Sequence, residues 1–361
     1  MKNQFDRALA ELLARRFAEV QPDFDADRFT DVVTAAFPEL ELKARIDAIA
    51  DELRRALPDD YPTALARVLA VAEKEGIEGF TAWPLCSFVE RHGLDDPAAS
   101  LDAMEHLTRR FSCEFALRPF LVAHLETTLG AVRGWTTSPH EAVRRLASEG
   151  TRPRLPWAPQ VPELIEDPGI GIDVVRALRH DPSDSVRRSV ANHLNDIAKD
   201  HPGRVVDLCA GWLREPATDP AMIRHALRTL VKKGDAGALA ALGFTTAPEI
   251  EVEAFTITPA AIRLGRSITL TATLTSTAAI GQRLVVDFIV HHVGASGATT
   301  PKVFKWRNLD LEPGATVELV KRRRIATAST RRYHAGVHRV ELQVAGQVVA
   351  ERAFELLDSS G

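Results

Sequence analysis

The spacing of apolar residues changes once along this chain, and that change limits the folds open to it. Before Gly243 they recur at every third or fourth position, and beyond it they alternate. Over residues 5–57, Phe5, Leu9, Leu12, Leu13 and Phe17, then Phe29, Val32, Val33 and Phe37, then Leu42, Ile46, Ile49, Leu53 and Leu57 draw amphipathic helices broken at Gln21-Pro22-Asp23 and Phe37-Pro38. A further helix is expected over residues 63–74, closed by Gly76 and Gly79, and Trp83-Pro84-Leu85 opens the next. Past Gly243, Thr- and Val-rich runs at 267–275, 284–290, 302–306, 316–320 and 337–344 lie between turns such as Glu312-Pro313-Gly314 and Ala345-Gly346-Gln347. They read as about seven short strands, the number of an Ig-like sandwich. The expected architecture is therefore multidomain, α then β, with helices over residues 1–245 and an Ig-like β-sandwich over 250–361.

Three helical segments repeat one another: HEAVRRL at 140–146, DSVRRSV at 184–190 and AMIRHAL at 221–227. An apolar residue followed by Arg and a second basic residue recurs at Val143, Val186 and Ile223, at intervals of 43 and 37 residues. Such periods fit HEAT-like repeats, helix pairs that bury a continuous core only by stacking into an α-α superhelix. The longer interval holds residues 151–170, rich in Pro and Gly and read as a loop. The repeated arginine admits two readings. It salt-bridges the neighbouring repeat, or a column of arginines that includes Arg187 and Arg188 tracks a phosphate backbone.

Composition narrows the class. At 45% hydrophobic and 26% charged residues, the 361-residue chain is that of a soluble protein of two or three domains. No run approaches the ~18 apolar residues of a membrane span. The N-terminus carries charges throughout and lacks the apolar core of a secretory signal, so a cytoplasmic location, the bacterial cytosol and nucleoid, is expected. Cys86, Cys113 and Cys209 lie outside any metal-ligand spacing and suit a reducing compartment. The net charge of −4 hides an asymmetry, with 14 Lys and Arg against 10 Asp and Glu from residue 250 on, and 31 against 39 before it. An acidic helical part argues against indiscriminate polyanion binding, yet arginines can line one face while acids cover the other.

No phosphate-binding loop, dinucleotide fingerprint, paired CxxC or HExxH is present. His291 and His292 are adjacent on an expected strand and point to opposite faces, so neither metal nor other cofactor is expected. What remains is carboxylates among arginines. Glu114 is expected on a helix, Glu149 shares the face of Val143 and Leu146, and Asp196 lies near that face on the next repeat. Glu114 and Glu149 each have a plain alternative in an intrahelical ion pair, Glu114 with Arg118 and Glu149 with Arg145. Carboxylates so placed also suit hydrolysis of a glycosidic bond, whose oxocarbenium-like transition state they stabilise while one of them handles the water.

At 112–121, SCEFALRPFL, and at 144–157, RRLASEGTRPRLPW, the sequence resembles the AlkC family of DNA glycosylases, within the HEAT-like-repeat alkylpurine glycosylases. The likeness runs from about Trp83 to Lys233. It implies that Glu114, Glu149 and Asp196, the last in NHLND at 192–196, surround the abasic sugar and the attacking water. It also implies that Trp157 shapes or stacks in the site, that Arg152 and Arg154 grip flanking phosphates, and that Arg118 belongs to the same DNA-contacting set. The substrates so implied are N3-methylated adenine and cytosine in alkylated double-stranded DNA, excised without a metal and without drawing the lesion into a deep pocket. The enzyme would be monomeric. An Ig-like C-terminal domain in such proteins contacts DNA, and the basic run Lys321, Arg322, Arg323 and Arg324 with the following 329–334 stretch supplies candidates here, unless the run is a solvated edge strand guarded against aggregation. The rival function is a non-catalytic repeat scaffold for other proteins. Salt separates the two, because binding through several phosphates weakens steeply as salt rises and an apolar protein interface does not.

Overall fold

The computed structural model describes residues 2–326 and 332–358. Among them sixteen α-helices precede eight strands. The helices are α1 Arg7–Val20, α2 Ala26–Ala36, α3 Leu42–Ala56, α4 Tyr61–Ala72, α5 Trp83–His92, α6 Pro97–Leu107, α7 Leu117–Ala123, α8 Leu125–Trp135, α9 Glu141–Gly150, α10 Pro162–Glu166, α11 Pro168–Leu178, α12 Asp184–Ile197, α13 Pro202–Trp212, α14 Pro220–Ala226, α15 Arg228–Lys233 and α16 Ala236–Ala241. Two compact units divide the chain: residues 2–201 with 216–226, and residues 202–215 with 227–358. The second unit thus holds α13, α15 and α16 as well as the strands.

In the first unit the apolar stripe of each helix is its buried face. Leu9, Leu13 and Phe17 of α1 and Ile46, Ile49 and Leu53 of α3 are all but inaccessible. Asp6, Asp25, Asp60 and Asp96 cap the helices that follow them, each accepting from the backbone N–H three residues on. Part of the acidic surplus of the helical region is therefore helix-initiating. The segment expected as one loop over 151–170 instead contains α10 and the start of α11. Pro162 and Pro168 occupy first-turn positions where a missing N–H costs nothing, and Asp167 caps α11 through Gly169.

The repeated triplet has a structural role that the interval alone left open. Val143, Val186 and Ile223 are fully buried on α9, α12 and α14. Arg144 donates to the carbonyls of Ser138 and Pro139 and forks onto Asp181 with its Nε 2.5 Å from Oδ2. Arg187 repeats the pattern, donating to the carbonyls of Asp181 and Pro182 while pairing with Asp184 and, at 3.5 Å, with Asp219. Each arginine stitches the start of its own helix to the loop entering a later one.

The strands are β1 Ile250–Thr258, β2 Ala261–Arg263, β3 Ser267–Ser276, β4 Gln282–Val293, β5 Thr299–Leu311, β6 Thr316–Arg324, β7 Gly336–Val344 and β8 Gln347–Leu357. They form a three-stranded sheet, β1-β3-β6, and a five-stranded sheet, β2-β8-β7-β4-β5. All pairings are antiparallel save β2 with β8. Ile268, Leu270, Ala272 and Leu274 of β3 meet Leu284, Val286, Phe288 and Val290 of β4 in the core between the sheets. β1, β2 and β8 are the strands that alternation did not reveal, because their solvent-exposed faces dilute the pattern.

The β7–β8 turn is built on positive φ at Ala345 (48°) and Gly346 (81°), and Gly346 packs on the left-handed Gly234 that ends α15. A Cβ on Gly346 would overlap the Gly234 backbone and require a strained φ. Gly346→Ala is expected to destabilise this unit by roughly 2 kcal/mol or more, read as a lowered melting temperature in thermal denaturation.

Candidate active site

From Ser189 to its end helix α12 is buried almost all round, and it carries polar residues where a core helix should be apolar. Ser189, His193 and Asp196, spaced four and three apart, form one stripe, and all three are at most 2% exposed. The stripe faces the end of α9, where Ser148 and Glu149 are also buried. Buried charges are costly unless paired, so the pairing defines the site.

Arg152 supplies it. Its Nη1 lies 2.5 Å from Glu149 Oε1 and its Nε 2.7 Å from Asp196 Oδ2, so one guanidinium bridges carboxylates 47 residues apart in sequence. The remaining oxygens are also engaged. Ser189 donates to Glu149 Oε2 at 2.6 Å, and Lys199 Nζ reaches Asp196 Oδ1 at 2.7 Å. Burial disfavours the charged form of Arg152, but the Glu149 and Asp196 carboxylates outweigh it and raise its pKa. Arg145 links in the third acid, with Nη2 3.2 Å from Glu114 Oε2 and 3.9 Å from Glu149 Oε2. Ser112 donates to the same Glu114 oxygen at 2.7 Å.

Several expectations are corrected here. Glu114 is not helical. It sits in the turn before α7, where Ser112 bonds its side chain and the first helical backbone bond runs from Leu117 N–H to Cys113. Its partner is Arg145 and not Arg118. Arg118 is 1% exposed, and its donors go to the carbonyls of Gly150, Arg152 and Pro159, so it has no surface to offer a phosphate. Arg152 is 7% exposed and holds carboxylates instead of a phosphate. Arg187 is occupied by the stitching contacts described above.

The remaining sequence candidates stay at the surface. Arg154 forks onto Asp200 at 2.7 and 2.8 Å with a third of its side chain exposed. Arg188 is exposed beside a cavity of about 240 Å³ lined by Arg187, Ala191, Met222 and His225. On β6, Arg322 and Arg324 are exposed, whereas the Arg323 guanidinium covers the Phe304 ring at 4.1 Å. Ser329, Thr330 and Arg331 of the basic stretch lie outside the described residues.

Trp157 is 79% exposed with φ of 67°, a conformation that is an outlier for a bulky residue. With Trp83, Phe115, Leu42, Lys43 and Glu41 it lines an open pocket of about 290 Å³. Trp83 and Phe115 stack there with ring centroids 5.7 Å apart. Among the described residues, no group of three or more His, Cys, Asp or Glu is placed to hold a metal ion, and no helix is long and apolar enough to cross a membrane.

The sequence reading missed Ser189 and Lys199. The signal for Ser189 was available in the polar stripe of α12, and that for Lys199 in its i+3 spacing from Asp196.

Comparison with known proteins decides the family. A family model described as the C-terminal Ig-like domain of the uncharacterised protein YhaZ matches residues 251–358. The uncharacterised protein YhaZ of Bacillus subtilis (strain 168) is 33% identical over 358 residues, covering 99% of each chain. The solved Pseudomonas fluorescens alkylpurine DNA glycosylase AlkC, bound to DNA containing an abasic site analog, matches with a TM-score of 0.92 and 38% identity over 99% of both chains. The chain belongs to the AlkC and YhaZ family. The expected helical region followed by an Ig-like sandwich is thus the architecture that the chain shares with AlkC.

One buried group in this AlkC-like centre gives a pH signature. Burial pushes the His193 imidazole down to about 4. An unfolded histidine titrates near 6.5, so between those values the unfolded chain takes up a proton that the folded chain resists, and stability falls as pH is lowered through that window. Urea denaturation should show the wild type losing about 2 kcal/mol more than His193→Gln between pH 7 and pH 5.

Proposed function

We propose that this protein is a DNA glycosylase that hydrolyses the N-glycosidic bond of cationic N3-alkylated bases, 3-methyladenine and 3-methylcytosine, in duplex DNA without drawing the base into a deep pocket. The observation that carries the reading is the pair of buried carboxylates, Glu149 and Asp196, held on one guanidinium with Glu114 joined through Arg145. A scaffold has no need to bury two acids together and tie a third to them. The activity in the name of the AlkC relative supports the same reading.

The chemistry follows from charge. An N3-alkylated base already carries a positive charge, so when the bond between C1′ and nitrogen breaks the electron pair neutralises the base and it leaves without a proton from a general acid. The positive charge passes to the sugar as an oxocarbenium-like centre. Fixed carboxylates beside it lower the barrier because they need not reorganise as the charge develops. Glu149 orients the water and accepts its proton as oxygen bonds to C1′, Asp196 stabilises the cation, and Glu114 is a third acidic partner. The products are the free base and an abasic site, and neither metal nor organic cofactor enters. Trp157 stacks in the site and Arg154, Arg188, Arg322 and Arg324 reach phosphates, each by exchanging a surface contact for an anion. The protein works as a monomer.

The test is single-turnover base release from duplexes carrying 3-methyladenine or 3-methylcytosine. Wild type should release base, and Glu149→Gln and Asp196→Asn should each be slower by about 10²-fold or more while still binding DNA. Wild-type rates in both variants, or no release by wild type from either duplex, would contradict the proposal.

A further inference from the structure

Among the described residues Arg118 is the largest fully buried side chain, and nothing in the chemistry above uses it. It stands in the first turn of α7. Its Nη1 donates to the carbonyls of Gly150 at 2.9 Å and Arg152 at 2.8 Å, and its Nε donates to Pro159 at 3.1 Å. One guanidinium thereby gathers both ends of the 150–159 segment. That segment carries Arg152 and Trp157, and within it the backbone bonds are long, 3.3 Å from Arg152 to Glu149 and from Ala158 to Leu155. Buried carbonyls need donors, and a rigid fork of N–H groups supplies several at once.

The arrangement is costly. Among the described residues no carboxylate lies within ion-pair distance of Arg118, and its Nη2 is buried without a partner. Burial, and then the nearby Arg152 charge, lowers its pKa to about 10, so it remains a cation at neutral pH. A leucine or methionine would fill the space without that penalty, but it could not hold three carbonyls. We propose that Arg118 is a positioning residue that fixes the 150–159 segment, so that Arg152 bridges Glu149 and Asp196 and Trp157 stands clear of the core. Through this contact α7 sets the spacing of two acids on α9 and α12. The catalytic consequence rests on the function proposed above; the mechanical one does not.

The full-length Arg118→Lys and Arg118→Met proteins test it. Lysine keeps the charge without the fork, and methionine removes a buried charge at similar volume, an exchange that often leaves stability intact. Hydrogen exchange over 150–159 should accelerate by about tenfold or more in both, with the protection of α1 to α5 unchanged. Single-turnover release at enzyme concentrations that saturate the DNA should fall by about tenfold or more, because the reacting groups are displaced even when all the DNA is bound. In a cycle with Arg152→Lys, the double variant should be no slower than the slower single one. Unchanged exchange over 150–159, exchange that rises equally throughout the helices, or additive losses in the cycle would each overturn the proposal. The exchange measurement needs no catalysis, so absence of base release by wild type would sink the proposed activity and leave the clamp to be judged by exchange alone.

Discussion

The Arg152 guanidinium between Glu149 and Asp196 is the contact on which the site depends. A buried carboxylate without a cation beside it is costly, and neither acid could hold its place without a donor fixed from elsewhere in the chain. The bridge satisfies both requirements, and its geometry is set by three elements: α9, α12 and the 150–159 segment. Ser189 and Lys199 complete the coordination of the two carboxylates, and Arg145 with Ser112 brings Glu114 into the same network. Three acids are thus balanced by Arg145, Arg152 and Lys199. The carboxylates of the centre are thereby held in fixed orientations.

Such a network demands a framework that does not yield. In the first unit this is provided by repetition. Arg144 and Arg187 each tie a helix start to a later loop, and the apolar residue preceding each is wholly buried. α12 lies next to α9 because the repeats stack, and stacking brings Asp196 to the end of α9 although 47 residues separate it from Glu149. Gly171 on α11 approaches His193 so closely that a Cβ would meet the imidazole, which leaves room for the polar stripe. The strands of the second unit follow a separate rule, alternating core and solvent across two sheets.

Much of the fold was legible because each half of the chain keeps one period. The helical stripes, the change near Gly243 and the tight turn at Ala345-Gly346 follow from residue type and local sterics. β1, β2 and β8 were missed because each buries only one or two residues, Phe255, Ile262, and Phe354 with Leu356, and α10 was hidden by the same prolines that start it. The three acids could be named from motifs, and the structure brings them together. The arginines could not be sorted. A sequence gives Arg118, Arg152 and Arg187 the same charge and motif neighbourhood, whereas burial and partners separate a carbonyl clamp, a carboxylate bridge and a repeat stitch. Those roles depend on contacts 32 to 44 residues away, which no local pattern records.

The central claim is that Glu149 and Asp196 form a preorganised site for a cationic sugar. It is tested most directly by the affinity of the intact protein for duplex DNA with a cationic pyrrolidine in place of the damaged nucleotide, set against the neutral tetrahydrofuran analogue. Transition-state complementarity predicts that the cationic duplex binds tighter by about tenfold or more, and that the preference disappears when Glu149→Gln and Asp196→Asn are combined. Equal affinities for the two duplexes in wild type, or a preference that survives in the double variant, would contradict the account.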